Sequence, residues 1–131
     1  MKQLPYDIDE YGTKRWINDK GLLHREDGPA LEYAVGNKSW FVGKRPRYIW
    51  YVNGQLHRLD GPAVEWNDGS KEWYVNGKRH RLDGPAEDWR EHRKVWWING
   101  KECSEQDFPI AVIQFLLYCD RTTAKIILKL L

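Results

Sequence analysis

The chain has 131 residues, with 21 Lys and Arg against 19 Asp and Glu and a net charge of +2. That length makes one domain able to bury about two-thirds of its unfolded surface, and the near balance of charge removes any demand for a polyanionic partner. Eight Trp and seven Tyr at a mean hydropathy of −0.76 exclude a disordered polar tract and point to strands held by large amphipathic side chains.

Residues 1–14 read as an N-terminal cap. The start, Met1-Lys2-Gln3-Leu4-Pro5-Tyr6-Asp7, has no apolar signal core. No later stretch approaches the roughly twenty apolar residues of a membrane span. Two cysteines, Cys103 and Cys119, are fewer than a secreted disulfide scaffold carries. The expectation is a cytoplasmic protein with reduced thiols and no membrane segment.

Residues 15–103 are an array. His24-Arg25-Glu26-Asp27-Gly28-Pro29-Ala30 returns as His57-Arg58-Leu59-Asp60-Gly61-Pro62-Ala63 and as His80-Arg81-Leu82-Asp83-Gly84-Pro85-Ala86. Trp50-Tyr51-Val52-Asn53-Gly54 returns as Trp73-Tyr74-Val75-Asn76-Gly77 and Trp96-Trp97-Ile98-Asn99-Gly100. His57 to His80 and Trp73 to Trp96 each span 23 residues, whereas His24 to His57 spans 33. The excess is assigned to an insertion near 43–49, between Trp40 and Trp50. The first unit also differs, with Arg15-Trp16-Ile17-Asn18 and a longer loop before His24.

Each unit reads as strand, turn, strand, turn. Asn53-Gly54 and Asn76-Gly77 suit type I′ hairpins, which need positive φ at both positions. Asn67-Asp68-Gly69-Ser70 is a further turn. Asp60-Gly61-Pro62 breaks pairing, because Pro has no N–H and restricts the residue before it. Alternation puts Trp50 with Val52, Trp73 with Val75 and Trp96 with Ile98 on one face, expected to form the core once units stack. Tyr51, Tyr74 and Trp97 then take the other face, and Glu32, Glu65 and Asp88 recur on the preceding strands.

These units resemble the short hairpin repeats of the MORN-like class, in the variant spelled His-Arg-x-Asp-Gly-Pro-Ala with Trp-Tyr-x-Asn-Gly, found in phage, giant-virus and bacterial proteins. The resemblance runs from Arg15 to about Lys101. It implies a stacked antiparallel sheet and little about function, because that class is mostly a scaffold.

Residues 104–131 are expected to be a helical C-terminal cap. Ser104-Glu105-Gln106-Asp107 looks like a helix start, and Pro109 fits a first turn. Ile110 to Tyr118 is almost wholly apolar, as in a helix buried against the array. After Asp120-Arg121-Thr122-Thr123, Ala124 to Leu131 reads as a second helix. The cap covers the last hairpin, and its apolar residues also offer a homodimer surface. The fold class is therefore mainly β with a C-terminal α segment: stacked antiparallel β-hairpin repeats of about 23-residue period, capped by one or two helices.

Three His-Arg-x-Asp copies do not make a metal site, since ligands must converge on one point rather than recur along an array. Nor do they make a catalytic centre, which is one constellation of differing residues. Asp60 is expected to accept backbone N–H groups, and His57 to bond across the turn. No phosphate-cradling Gly loop, Cys-x-x-Cys pair or nucleophile elbow occurs. No cofactor and no enzymatic activity are expected. The binding candidates are Lys44, Arg45, Arg47 and Tyr48 in the insertion, taken as an exposed loop. Tyr51 and Tyr74 join them from the aromatic row, and Arg58 and Arg81 from the His/Arg row. Arg90, His92, Arg93 and Lys94 form a second basic turn. The expected function is a non-enzymatic protein–protein interaction module with a host or self protein as partner. By analogy with the MORN-like class it would be a phage or mobile-element product that inhibits a host factor. The alternative is nucleic-acid or nucleotide binding through the basic insertion and the His/Arg row.

Overall fold

The computed structural model describes residues 5–34 and 43–118. The expectations for Trp40, Val42, Cys119 and the helix at 124–131 lie outside the described residues. Among the described residues the chain is mainly β with one C-terminal helix. Its principal sheet has nine antiparallel strands in the order β1 (Asp7–Ile8), β2 (Lys14–Arg15), β3 (Leu31–Glu32), β4 (Pro46–Ile49), β7 (Val64–Trp66), β8 (Lys71–Glu72), β11 (Glu87–Asp88), β12 (Lys94–Ile98) and β13 (Lys101–Cys103). Two separate ribbons, β5 (Tyr51–Val52) with β6 (Gln55–Leu56) and β9 (Tyr74–Val75) with β10 (Lys78–Arg79), stand apart from it as hairpin arms.

The arms follow from the turn chemistry. Asn53, Asn76 and Asn99 sit at φ of 49°, 50° and 49°, and Gly54, Gly77 and Gly100 follow at 78°, 79° and 80°. Both central positions are left-handed, as a type I′ turn requires. Successive arms are tied by a repeated set of bonds. Gly54, Gly77 and Gly100 donate N–H to the carbonyls of Leu23, Leu56 and Arg79 at 2.8, 2.8 and 2.9 Å. His24, His57 and His80 each accept, at Nδ1, the N–H of the next arm's Asn, at 3.0, 2.9 and 2.9 Å. The first arm is looser, with a single bridge between Ile17 and Leu23.

The core lies between the sheet and the arms. Leu31, Ile49 and Val64 are buried on neighbouring strands, and Leu23, Tyr33, Tyr51, Leu56, Trp66 and Tyr74 pack against them. The tyrosines of the arms therefore face the core, while Trp50 and Trp73 lie on the opposite face. This reverses the expected Trp/Val core for these two arms. The cause is the His-Arg-x-Asp-Gly-Pro-Ala string, whose Arg covers the Trp. Its Ala residues, Ala30, Ala63 and Ala86, are fully buried, and their carbonyls accept the N–H of Trp16, Trp50 and Trp73.

The expected insertion loop is also relocated. Pro46–Ile49 is a strand, paired with β3 on one side and with β7 on the other, with a register shift against β7 between Pro46 and Tyr48. Ile49, Glu72 and Val95 hold equivalent places just before Trp50, Trp73 and Trp96. Glu32 to Ile49 spans 17 residues where Glu65 to Glu72 spans 7, so the ten extra residues enter between β3 and β4, upstream of the expected site.

The N-terminal segment adds β1 to the edge of the sheet, through Asp7 opposite Arg15. At the other end, helix α1 (Phe108–Tyr118) begins after Ser104, whose Oγ accepts the Asp107 N–H at 3.1 Å. The helix packs on β12, and Phe115 meets the His80 ring at 4.8 Å. It was expected to be buried, yet none of its residues is: Ile110, Ile113, Leu117 and Tyr118 are exposed. Among the described residues no helix is long and apolar enough to cross a membrane.

Candidate interaction surfaces

Three surfaces are built from the repeat. The first is a seam of Arg stacked on Trp. Arg25, Arg58 and Arg81 hold their guanidinium carbons 3.9, 3.8 and 3.8 Å from the ring centres of Trp16, Trp50 and Trp73. In each, Nε donates to the Asp two residues on, Asp27, Asp60 or Asp83, and Nη1 donates to the carbonyl of Pro29, Pro62 or Pro85. The Gly between explains itself: a Cβ on Gly28, Gly61 or Gly84 would stand 2.7, 2.8 or 2.9 Å from the guanidinium carbon. Asp60 therefore accepts from a side chain and not from the backbone N–H groups expected for it. Arg58 and Arg81 are tied into the fold by these contacts rather than standing free.

The second surface is the face of the sheet opposite the core. Across neighbouring strands it reads Lys14, Glu32, Tyr48, Glu65, Lys71, Asp88, Lys94. Opposite charges alternate along most of the row, as favoured in cross-strand pairs. Arg47 is exposed with its guanidinium 5.0 Å from the Tyr48 ring, and Tyr48 meets Trp50 edge-on at 6.2 Å. The structure thus brings Arg47, Tyr48, Trp50 and Arg58 together. It does not bring Tyr51 or Tyr74 to them, since both face the core; burial pushes both phenols up, helped at Tyr74 by the Glu72 carboxylate.

The third surface is the edge formed by the turns. Lys44 lies over Trp89, 3.0 Å from its centre, and 5.1 Å from that of Trp66, with Asp68 Oδ2 at 3.4 Å. A cleft of about 300 Å³ beside it is lined by Lys44, Asp68, Ser70, Trp89, His92 and Arg93. Arg45 is anchored here as well, donating to the Ala34 carbonyl, and its backbone pairs with Asn67. Insertion and second basic turn therefore share one edge.

Beneath these surfaces lies a group that sequence reasoning missed. The core-face row runs Leu31, Ile49, Val64, Glu72, Glu87, Val95. Glu72 and Glu87 are buried cross-strand neighbours, at 6% and 5% exposure. Arg79 answers both, with Nη2 3.5 Å from Glu72 and Nε 2.8 Å from Glu87. The Tyr74 hydroxyl and Trp66 Nε1 donate to Glu72, and Trp89 Nε1 donates to Glu87. The available signal was positional: Arg79 stands where Leu23 and Leu56 stand, and Glu87 where Leu31 and Val64 stand.

The three histidines do not converge, because each is bonded to a different arm. Desolvation lowers His57, and lowers His80 to about 4. No family model, curated protein or solved structure matches the chain.

Proposed function

We propose that this protein is a non-enzymatic protein–protein interaction module of the MORN-like kind, acting in the cytoplasm. The observation that carries the reading is the alternating-charge row Lys14, Glu32, Tyr48, Glu65, Lys71, Asp88, Lys94, flanked by the Arg47–Tyr48–Trp50–Arg58 group. A surface of mixed sign with an aromatic–Arg centre matches protein interfaces, where Tyr, Trp and Arg dominate binding. A polyanion would instead be met by one contiguous positive face. A phage or mobile-element product that inhibits a host factor is the biological form of this proposal, supported by the repeat resemblance alone. The exposed Ile110, Ile113 and Leu117 of α1 support self-association as a further arm of it.

A tagged pull-down from native lysate, with and without nuclease, tests the reading. The expected result is a protein partner retained after nuclease and lost, or weakened by about 2 kcal/mol or more, in Tyr48→Ala, as for an interface hot spot. The second reading, nucleic-acid binding, is favoured by His92 and Arg93 beside Lys44 at the turn edge. Capture that disappears with nuclease and weakens steeply with salt supports it instead.

A further inference from the structure

We propose that Trp66, Trp89 and the Asp68 carboxylate form a recognition cradle for a partner's lysine ammonium, plain or alkylated, and that Lys44 occupies this cradle in cis. The inference rests on the protein-binding reading above and gives it a ligand class.

The cradle has the parts that cation recognition needs. Trp66 and Trp89 come from equivalent positions in successive units, with ring centres 5.9 Å apart and planes tilted by 34°. An ammonium over a Trp face is held by the ring quadrupole, and most strongly where water is partly excluded. Here the Nζ of Lys44 sits 3.0 Å from one ring centre and 5.1 Å from the other. The Asp68 carboxylate closes the third side at 3.4 Å. Asp68 is itself fixed, because its Oδ1 accepts the Ser70 N–H at 2.8 Å.

The rings are set in place without Lys44. Trp66 Nε1 donates to Glu72 at 3.0 Å, and Trp89 Nε1 donates to Glu87 at 3.2 Å. Both acceptors are buried carboxylates held by Arg79. Donation to a carboxylate fixes each indole's orientation and enriches its face, so the cradle is preorganised by the charged group beneath it. The occupant, by contrast, comes from outside the repeat. Lys44 lies in the lengthened connection between β3 and β4, where the regular units have a short turn with no lysine.

The surroundings define the ligand further. The cleft beside Lys44 gives an incoming chain room to enter. His92 and Arg93 line that cleft, and their side chains make no hydrogen bond or ion pair among the described residues. The Arg93 guanidinium at the rim suits an ammonium that carries an acidic neighbour, so that the ammonium replaces Lys44 while a carboxylate meets Arg93. The partner chemistry is a lysine next to Asp or Glu on a protein surface.

The test uses the full chain and two probes, the N-acetyl methylamides of Nε-trimethyllysine and of norleucine, its uncharged counterpart. Indole N–H resonances of Trp66 and Trp89 are assigned through Trp66→Phe and Trp89→Phe. A tethered competitor acts at an effective concentration of about millimolar, so Lys44→Ser should bind the trimethyllysine probe about tenfold more tightly than the unaltered chain. Lys44→Gln, which keeps most of the stem, should do the same, and Lys44→Arg should remain closed. Norleucine should move neither resonance. The proposal is overturned if the trimethyllysine probe leaves both resonances unmoved in folded Lys44→Ser or Lys44→Gln, or if norleucine moves them equally. Capture of a nuclease-resistant protein by a chain that ignores the probe would sink the cradle and leave the interaction module standing. Probe binding with no captured protein would do the reverse.

Discussion

The face carrying the Arg–Trp seam and the face lining the core obey different rules. On the seam, three units repeat the same contacts almost without change: Arg on Trp at 3.8–3.9 Å, Nε on Asp, Nη1 on the Pro carbonyl. On the core face the equivalent positions change character along the sheet. Leu31, Ile49 and Val64 give way to Glu72 and Glu87, and the arm residue Leu56 gives way to Arg79. The repeated string therefore encodes turns and seam, while the core side is free to become polar. In the third unit that freedom produces a buried charged group, and the group sets the indoles of the cradle.

The sharpest way to break this contrast is at Arg79. Arg79→Leu restores the residue type of the preceding arm but leaves Glu72 and Glu87 buried side by side. Removing one partner of a buried ionic group costs about 3–5 kcal/mol. Converting all three, with Glu72→Ile, Arg79→Leu and Glu87→Val, copies the apolar pattern of Leu31, Ile49 and Val64. That variant should recover most of the loss seen in Arg79→Leu, short of full stability by about 1–3 kcal/mol because the Tyr74 hydroxyl and the Trp66 and Trp89 Nε1 groups lose their acceptors. Urea unfolding of both variants measures the difference. If Arg79→Leu alone is harmless, the two carboxylates do not depend on Arg79.

A second effect lies where the seam meets the cap. His57 and His80 make the same bond to the next arm's Asn, but Phe115 of α1 covers His80 alone among the described contacts. Burial lowers His80 to about 4 from its ordinary 6.5. The folded state thus holds it neutral where the unfolded chain takes up a proton. Its stabilising contribution is complete above pH 6.5 and is lost as pH falls from 6.5 toward 4, on the order of 3 kcal/mol in all. His57, also lowered by desolvation, acts in the same direction. His80→Asn keeps an acceptor for the Asn99 N–H and removes the titration. Thermal or urea unfolding from pH 7 to 4 should show a flatter curve for that variant. Parallel curves would mean that α1 leaves His80 in contact with water.

The turns that carry the seam were legible in the sequence; the Arg–Trp stack itself and much of the core face were not, for a physical reason. Asn-Gly turns and Gly-Pro breaks act locally, so reading them placed the arms and the type I′ hairpins correctly. The face of a strand is a tertiary property. Trp50 outranks Tyr51 in apolar area, and only the Arg58 guanidinium, arriving from eight residues on, shows how the Trp is covered away from the core. The same applies to binding candidates chosen by type. Lys44, Arg45 and Arg47 are adjacent in sequence, yet they go to the cradle, to the Ala34 carbonyl and to the Tyr48 ring respectively. The helix start at Ser104 was legible because capping is local; the exposure of Ile110 and Leu117 was not.

The smallest predicted effect sharpens the contrast most, because it changes sign. Gly61 has no positive φ to account for it, unlike Gly54 at 78°. What a Cβ on Gly61 would meet is the Arg58 side chain, with Cζ at 2.8 Å and Nε at 3.1 Å. That contact is the flexible end of a side chain, so Gly61→Ala should displace the guanidinium from Trp50 rather than distort the backbone. The cost is the stack and its hydrogen bonds, about 1 kcal/mol for a partly exposed group. In an Arg58→Ala background the three atoms nearest that Cβ are gone. Gly61→Ala should then be neutral or stabilising by about 0.4–1 kcal/mol, because Ala restricts the unfolded chain. The coupling between the two sites should therefore be about 1 kcal/mol or more in a double-mutant cycle read by urea unfolding. Gly54→Ala is the control: its strain is in the backbone, so its cost of about 1 kcal/mol should not depend on Arg58. Equal costs for Gly61→Ala with and without Arg58 would show that the Gly of the repeated string serves the backbone, and that the seam is a by-product of the turn.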